Sequence, residues 1–226
     1  AGFDTVDFNL EIFLDWNSIA SLKGDCFYDK PMDELKTFFR PFVDACRNNG
    51  LEFSQMHAPF YLYIKDDEKR RHFIEIEKKS VELAAWMGSP YVVVHPFIMR
   101  RDFGRKAELE ANLAFYRELM PIAKEHHIKI CLENMFETYH EHICDAICSD
   151  PGEAVRLIET LNAEAGEECF AFCFDMGHAT LLGRDIYDFV TVLGSHLQIL
   201  HLHDNDGIHD LHNLPFVFTR TWGPGM

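Results

Sequence analysis

The sequence has little positive charge and no long hydrophobic run. Its 226 residues include 21 Lys and Arg against 37 Asp and Glu, which gives a formal net charge of −16 with neutral histidines. This acidic balance disfavours loose binding to nucleic acid or to an anionic membrane, because such binding needs basic residues that displace counterions. No stretch approaches the roughly 18 apolar residues of a membrane span, and the first ten residues lack the basic segment of a secretory signal. We therefore expect a cytoplasmic protein with no membrane partner.

The seven cysteines form no CxxC motif and no spacing that suggests a disulfide framework. Cys131 and Cys173 lie in apolar, strand-like runs, which is typical of small buried residues in a reducing compartment. The sequence also has no internal repeat and no low-complexity linker, and 47% of its residues are apolar. These features predict a single domain over residues 1–226, with one substantial core.

Short β-like runs alternate with amphipathic helical patterns along the whole chain, which indicates repeated βα units around a parallel sheet. The six runs are FDTVDFNL (3–10), LEFSQMHAP (51–59), YVVVHPF (91–97), IKICLEN (128–134), FAFCFDMGH (170–178) and QILHLHDND (198–206). A closed (β/α)8 barrel needs about 250 residues or more. The sequence therefore predicts an α/β fold, a (β/α)8 TIM barrel that lacks its first and last strands and is truncated at both ends. An open doubly wound sheet is the alternative, but no glycine-rich phosphate loop follows the first run.

Groups that bind metals or move protons stand at the ends of successive runs, where the active site of a βα barrel lies. These residues are His57, His95, Glu133, Asp175, and His201 with His203. Glu133 ends an otherwise apolar run, and a carboxylate that faces the barrel axis needs a cation or a proton. Together the residues predict a divalent cation site, although each alone is also compatible with an ordinary loop or capping role. Arg100 and Arg101 follow the His95 run and are either solvated or in contact with a phosphate.

Three segments, CLENM (131–135), FDMGHA (174–179) and HLHDNDGIHDLH (201–212), resemble the xylose-isomerase-like TIM barrel superfamily. This superfamily includes sugar phosphate isomerases and epimerases and is related to the DNA-repair enzyme endonuclease IV. The resemblance implies a metal-dependent sugar or sugar-phosphate isomerase or epimerase of carbohydrate metabolism, which transfers a proton through a metal-stabilised enediolate. The alternative is an endonuclease IV-like, zinc-dependent apurinic/apyrimidinic DNA endonuclease.

The resemblance also implies roles for individual residues. Glu133, Asp175 and His201 fall on metal ligands, and Glu133 falls on the catalytic acid–base. Substrate-binding roles are expected for four histidines, His57, His95, His178 and His203. Asp210 and His212 match additional metal ligands of the endonuclease branch. The family's fourth ligand, a Glu on the eighth strand, has no counterpart in the sequence.

The expected ligands and partners follow from the same residues. Mixed carboxylate and imidazole ligands suit Mn²⁺, Zn²⁺, Co²⁺ or Mg²⁺, and the choice among these divalent metal ions stays open. The expected partner is a small-molecule sugar or sugar phosphate, whereas nucleic acid is disfavoured by the charge. The sequence is compatible with a homo-oligomer as well as with a monomer.

Overall fold

The computed structural model describes residues 2–17, 26–60, 63–215 and 217. Six of its strands are parallel and form one sheet: β1 (Thr5–Asn9), β2 (Glu52–His57), β3 (Tyr91–Val93), β4 (Lys129–Glu133), β7 (Phe170–Asp175) and β8 (Leu197–His201). Their order in the sheet is the chain order. Strands β5 (Phe136–Tyr139) and β6 (His142–Asp145) form a separate antiparallel hairpin. The six parallel strands correspond to the six predicted runs, while both ends of the predicted 1–226 domain lie outside the described residues.

Within these ranges the structure gives the full bounds of six α-helices: α1 (Met32–Asn48), α2 (Asp67–Met87), α3 (Arg105–His126), α4 (Pro151–Ala165), α5 (Met176–Leu181) and α6 (Ile186–Leu193). Side chains fix several of their ends. Asp66 and Asp150 accept hydrogen bonds from backbone N–H groups in the first turns of α2 and α4, and Gly88 and Gly166 end the same helices in the left-handed conformation. Across the ranges given above, no helix has the length and apolarity needed to span a membrane.

Contacts between distant strands show that the sheet curls. His57 on β2 and His201 on β8 have ring centroids 4.8 Å apart, although three strands lie between them in the sheet. At the opposite end, the Tyr91 hydroxyl donates to Gln198 Oε1 at 2.8 Å. Strands β1 and β8 do not pair within the described residues. The fold is therefore a partial (β/α)8 TIM barrel, which confirms the predicted fold class.

The two faces of the sheet bury different cores. The large core lies between the sheet and the helices. A small core inside the curl contains Val93, Cys131, Ala171, Cys173 and Ile199. Both interior cysteines are free thiols, as the sequence predicts. The interior core forms the floor on which the strand-end side chains stand.

A β-bulge places His201 inside the curl. Phe172 pairs with Leu197, but the next residue, Cys173, pairs with Ile199, so Gln198 is an extra residue in β8. Beyond the bulge, Ile199 is buried in the interior core, and His201 lies two residues further on the same face. Without the extra residue, the alternation along the strand would turn His201 outward.

Candidate active site

Glu133, the last residue of β4, is a buried carboxylate surrounded by imidazoles. Its exposed fraction is 2%. His95 Nε2 lies 3.1 Å from Oε2, and the Nδ1 atoms of His178 and His201 each lie 3.4 Å from Oε1. Burial raises the pKa of Glu133, but His95 and His201 outweigh burial and hold this pKa well below its ordinary value. Glu133 is therefore ionised at neutral pH, although its Oε2 accepts no hydrogen bond from the described residues.

Asp175, the last residue of β7, is the second buried carboxylate. His203 Nε2 donates to both of its oxygens, at 2.9 and 3.0 Å. Asp175 also accepts from the backbone N–H of His178 at 2.7 Å and so caps α5. Burial raises the pKa of Asp175, but hydrogen bonds from His201 and His203 lower it below its ordinary range. The strand predicted to run to His178 therefore ends at Asp175, because this side chain begins a helix there.

The imidazole of His201 lies between the two carboxylates. Its Nδ1 is 3.4 Å from Glu133 Oε1 and 3.5 Å from Asp175 Oδ2. Burial lowers the pKa of His201, but Asp175 and Glu133 outweigh burial and raise it to about 10. The structure thus brings Glu133, Asp175 and His201 around one point at the mouth of the barrel.

Asn134 joins the ends of β4 and β7. Its side-chain amide accepts from the Asp175 backbone N–H and donates to the Asp175 carbonyl, both at 2.8 Å. Its own carbonyl accepts from His178 Nδ1 at 2.8 Å. Asn134 therefore fixes the end of β4 relative to the end of β7, where the two carboxylates lie. Sequence analysis assigned it no role, although its position directly after Glu133 was the available signal.

His57 and His95 line the other side of the same mouth. Their ring centroids are 5.6 Å apart. Asp7 on β1 accepts from His57 Nδ1 and from Gln55 Nε2, both at 3.0 Å. This contact fixes the His57 tautomer and leaves Nε2 as the ring atom available to a ligand. Sequence analysis missed Asp7, whose only signal is a charged residue in the middle of the first β-run.

Asp210 and His212 reach the site from the segment after β8. Asp210 Oδ2 lies 3.4 Å from His178 Nε2 and 3.1 Å from His212 Nε2. The rings of His203 and His212 stack at a centroid distance of 4.0 Å. Burial lowers the pKa of His178, but Asp210 and Asp175 outweigh burial and raise it to about 9. All nine residues that the sequence singled out therefore lie at one end of the barrel.

Gly177 makes room for His203. A Cβ at this position would lie 1.9 Å from His203 Cε1. Because His203 follows the end of β8, its ring has to cross the first turn of α5 to reach Asp175. Only glycine permits this close approach, and the packing of the His203 ring therefore explains why the D-M-G-H segment has a glycine at position 177.

The donor atoms fit a divalent cation. Groups at this mouth whose ligand atoms lie within 4.8 Å of one another include His57 with His95 and Glu133, Glu133 with Cys173 and His201, Asp7 with His57 and His201, and His178 with Asp210 and His212. Imidazole and carboxylate together suit Zn²⁺ and other first-row ions. The buried Oε2 of Glu133 lies 3.1 Å from His95 Nε2 but accepts no hydrogen bond from the described residues, and such an oxygen is the kind that a cation satisfies.

A cleft of about 880 Å³ opens above these residues. Its polar side is formed by the histidines and carboxylates described above. Its apolar side is formed by Phe60, Ile98, Met135 and Phe136. A concave site with convergent polar groups on one side and apolar groups on the other is typical of small-molecule binding.

The sequence profile of one protein family, described as xylose isomerase-like TIM barrel, matches residues 1–225. The chain belongs to this family. The match confirms the resemblance inferred from the three segments around Glu133, Asp175 and His201.

Curated relatives within the family carry different activities. An "Inosose isomerase" of Halalkalibacterium halodurans is 24% identical over 178 residues, which are 79% of this chain and 57% of that protein. A "Probable endonuclease 4" of Metamycoplasma arthritidis is 24% identical over 161 residues, 69% of this chain and 54% of that protein. The chain spans about half the length of the curated relatives it matches.

Solved structures of the family superpose on most of the chain. A D-tagatose 3-epimerase-like protein gives a TM-score of 0.69 at 23% identity and covers 96% of this chain and 75% of its own. The IOLI protein with a binding zinc atom gives 0.63 at 17% identity, with coverages of 93% and 67%. A D-psicose 3-epimerase in the presence of D-fructose gives 0.60 at 14% identity, with coverages of 90% and 64%. At these identities the likeness establishes the fold.

Proposed function

We propose that the chain carries the site of a divalent-metal-dependent sugar isomerase or epimerase. One observation carries the proposal. Two buried, ionised carboxylates from separate strands lie within 3.5 Å of one imidazole nitrogen, at the base of a cleft large enough for a sugar. The isomerase and epimerase names among its relatives, and the zinc of the IOLI protein, support the same class of reaction.

In this proposal Glu133, Asp175 and His201 hold the metal ion. A divalent cation supplies Lewis-acid polarisation of the sugar carbonyl when bound. Its identity among Mn²⁺, Zn²⁺, Co²⁺ and Mg²⁺ is not fixed by these ligand types. Among these three residues, Asp175 is held by Asn134 through its backbone and by the first turn of α5 through its carboxylate.

Glu133 is the proposed base. The reaction removes a proton from the carbon next to the carbonyl, and the low pKa of Glu133 keeps it ionised and able to accept that proton at neutral pH. His57 and His95 face the same carboxylate and are placed to hold sugar hydroxyls. Phe60 and Phe136 cover the apolar side of the cleft and would exclude water from the reacting carbon.

Deuterium exchange tests this assignment. The purified chain, supplied with Mn²⁺ and a panel of ketoses and aldoses in D₂O, is expected to exchange the proton next to the carbonyl, as measured by NMR. Glu133→Gln should keep the fold and lower the exchange rate by about 10²–10⁴-fold, which is the usual contribution of a general base. Glu164→Gln is the matched control, because Glu164 is an exposed carboxylate paired with Arg117. Exchange retained in Glu133→Gln would contradict the role of Glu133 as the base.

A second candidate function is a zinc-dependent endonuclease for abasic DNA. The observation in its favour is that several potential ligand groups lie at the same mouth, and one relative is named as an endonuclease. The charge of −16 opposes it, because a duplex is gripped through basic residues. Nicking of a duplex with one abasic site, together with about three bound zinc ions per chain, would favour this candidate over the sugar enzyme.

A further inference from the structure

A second cavity adjoins the cleft and has no part in the chemistry described above. Its volume is about 600 Å³. The two cavities share three wall residues, Phe60, Ile98 and Phe136. A ligand bound above Glu133 can therefore extend past these side chains into the second cavity without leaving the protein surface.

The β5–β6 hairpin supplies the distal wall of this cavity. Thr138, Tyr139 and His140 line it, and the Tyr139 side chain is 48% exposed. His140 lies edge-on to the Tyr139 ring, with centroids 4.2 Å apart. An aromatic face beside polar edges is suited to the apolar face and the hydroxyls of a sugar ring.

The hairpin turn holds these residues in a conformation that costs free energy. His140 and Glu141 have φ angles of 47° and 67°, which non-glycine residues adopt only at a cost in free energy. Such outliers persist where the surrounding structure determines them, and they concentrate at binding sites. Here the outlier places the His140 ring against Tyr139 at the cavity wall.

The charges of the cavity are already paired. Arg101 contacts the Glu137 carboxylate through Nε and donates to the Asp145 carbonyl at 3.1 Å. Arg100 donates to Asp102 Oδ1 at 3.2 Å. Each of the two arginines thus pairs with a carboxylate of the cavity wall, so these four side chains together contribute no net charge to the cavity. A neutral group fits these surroundings better than an anion does.

We propose that this cavity is a subsite for a second, uncharged sugar ring, so that the substrate is a glycoside or disaccharide whose reacting end lies over Glu133. This inference rests on the proposed sugar isomerase or epimerase function and specifies its substrate class. It also assigns Arg100 and Arg101 to the cavity wall rather than to a phosphate site.

Direct binding measurements test the subsite. D-Fructose and isomaltulose, a disaccharide that carries glucose on C6 of fructose, are titrated by calorimetry into the purified chain with Mn²⁺. Isomaltulose should bind at least about fivefold more tightly than fructose, which is about 1 kcal/mol at 1.4 kcal/mol per tenfold. D-Fructose 6-phosphate carries an anion on the same carbon. Its affinity should exceed that of fructose by less than the affinity of isomaltulose does.

Variants show which residues of the cavity wall are responsible for the tighter binding of isomaltulose. Tyr139→Ala and His140→Gly should each bring the ratio of isomaltulose to fructose affinity close to one. Tyr187→Ala, at a tyrosine 75% exposed on α6, should keep the wild-type ratio. Equal affinity of the wild type for the two sugars, or a ratio unchanged by Tyr139→Ala, would overturn the subsite. Tighter binding of the phosphate that is lost in Arg100→Ala would overturn it in favour of an anion site.

The subsite and the proposed function fail in different ways. If fructose undergoes deuterium exchange but isomaltulose gains no affinity, the subsite is wrong and the enzyme class stands. If isomaltulose binds more tightly through Tyr139 and neither sugar exchanges a proton, the subsite stands and the isomerase or epimerase assignment is wrong.

Discussion

At the scale of single residues, the site depends on how closely groups approach each other as much as on which groups are present. His203 donates to both oxygens of Asp175, and it reaches them across Gly177. Asn205 Nδ2 donates to the Gly177 carbonyl at 2.9 Å, which ties the segment after β8 to the same turn. The backbone of α5 and the His203 ring therefore share one small volume, and an added methyl group cannot be accommodated without moving the ring.

Gly177→Ala should displace His203 and destabilise the protein. The added Cβ would lie 1.9–2.6 Å from three atoms of the imidazole, and overpacking of this kind costs about 1–3 kcal/mol. Loss of the His203 contact should also weaken Mn²⁺ binding, since Asp175 would lose the hydrogen bonds that His203 donates to both of its oxygens. Urea denaturation and metal titration measure the two effects.

Gly152→Ala is the matched control for this prediction. Gly152 also lies in the first turn of a helix, but a Cβ there would meet only side-chain atoms at 3.3 and 3.4 Å. Because alanine is favoured over glycine in helices, this variant should be neutral or slightly stabilising. Equal losses of stability in the two variants would show that the His203 contact is not the cause.

At the scale of elements, the β5–β6 hairpin has a turn whose sequence does not suit its backbone. Tyr139 pairs with His142, so His140 and Glu141 alone form the turn, both with positive φ. Turns of this kind favour Asn-Gly or Asp-Gly. Glu141→Gly should therefore stabilise the protein by about 1 kcal/mol, as measured by urea denaturation. Glu141→Ala removes the same carboxylate without relieving the backbone, so a gain in both variants would argue against strain as the cause.

The buried face of α2 contains an ionisable side chain, Glu77, among apolar residues. Glu77 is fully buried, and neither of its oxygens has a hydrogen-bond partner among the described residues. Burial raises its pKa well above the ordinary value, and Glu11 adds to the shift. A raised carboxyl pKa favours the folded state most at low pH, and this contribution is lost as pH rises from the unfolded value of about 4.3.

Glu77→Gln should therefore stabilise the protein at pH 8 by about 1–3 kcal/mol, because glutamine has no proton to take up and no charge to bury when the chain folds. The gain should shrink as the pH falls below about 4.3, because the wild-type carboxyl then becomes neutral in the unfolded state as well as in the folded state. Glu75→Gln, at an exposed carboxylate of the same helix, should change stability little at either pH. Thermal melting over this pH range would contradict the prediction if the gain from Glu77→Gln did not depend on pH.

The elements that the sequence predicted are those with strong local patterns. The parallel strands were visible as apolar runs that end in a polar group, and the helices between them were visible as amphipathic patterns. The β5–β6 hairpin was not predicted, because His140-Glu141 lacks the turn residues that signal one. Asp7 was missed because its role depends on pairing with β2, which is a non-local contact. His203 was expected on a strand, but β8 ends at His201.

At the scale of the whole molecule, some of the carboxylates behind the excess negative charge lie next to the histidines at the barrel mouth. Asp175 and Glu133 raise the pKa of His201 to about 10, and Asp210 and Asp175 raise that of His178 to about 9. In the metal-free protein both imidazoles are therefore protonated at neutral pH and compensate the carboxylates. Their contribution to folding is fully present below pH 6.5 and is lost as pH rises through about 9–10.

The same charges predict how metal binding depends on pH. An imidazole binds a metal ion only in its neutral form, so a metal ion held by His201, as proposed, would displace the proton of that ring. Glu133 and Asp175 are already ionised, since their pKa values are lowered, and they release none. The affinity for Mn²⁺ should therefore rise with pH by up to about tenfold per unit below pH 10. Calorimetry in buffers of different ionisation enthalpy counts the protons released, with about one expected per ion bound at this centre.

His201→Gln separates this mechanism from a general effect of charge. Glutamine has no proton to release, so the variant should bind Mn²⁺ more weakly and with little dependence on pH between 7 and 9. His196→Gln, at a histidine whose nearest carboxylate is Glu159 at 3.7 Å, should keep both the wild-type affinity and its pH dependence. If His201→Gln retained the full pH dependence, the released proton would come from another group, and the metal would not be held between Glu133 and Asp175 through His201.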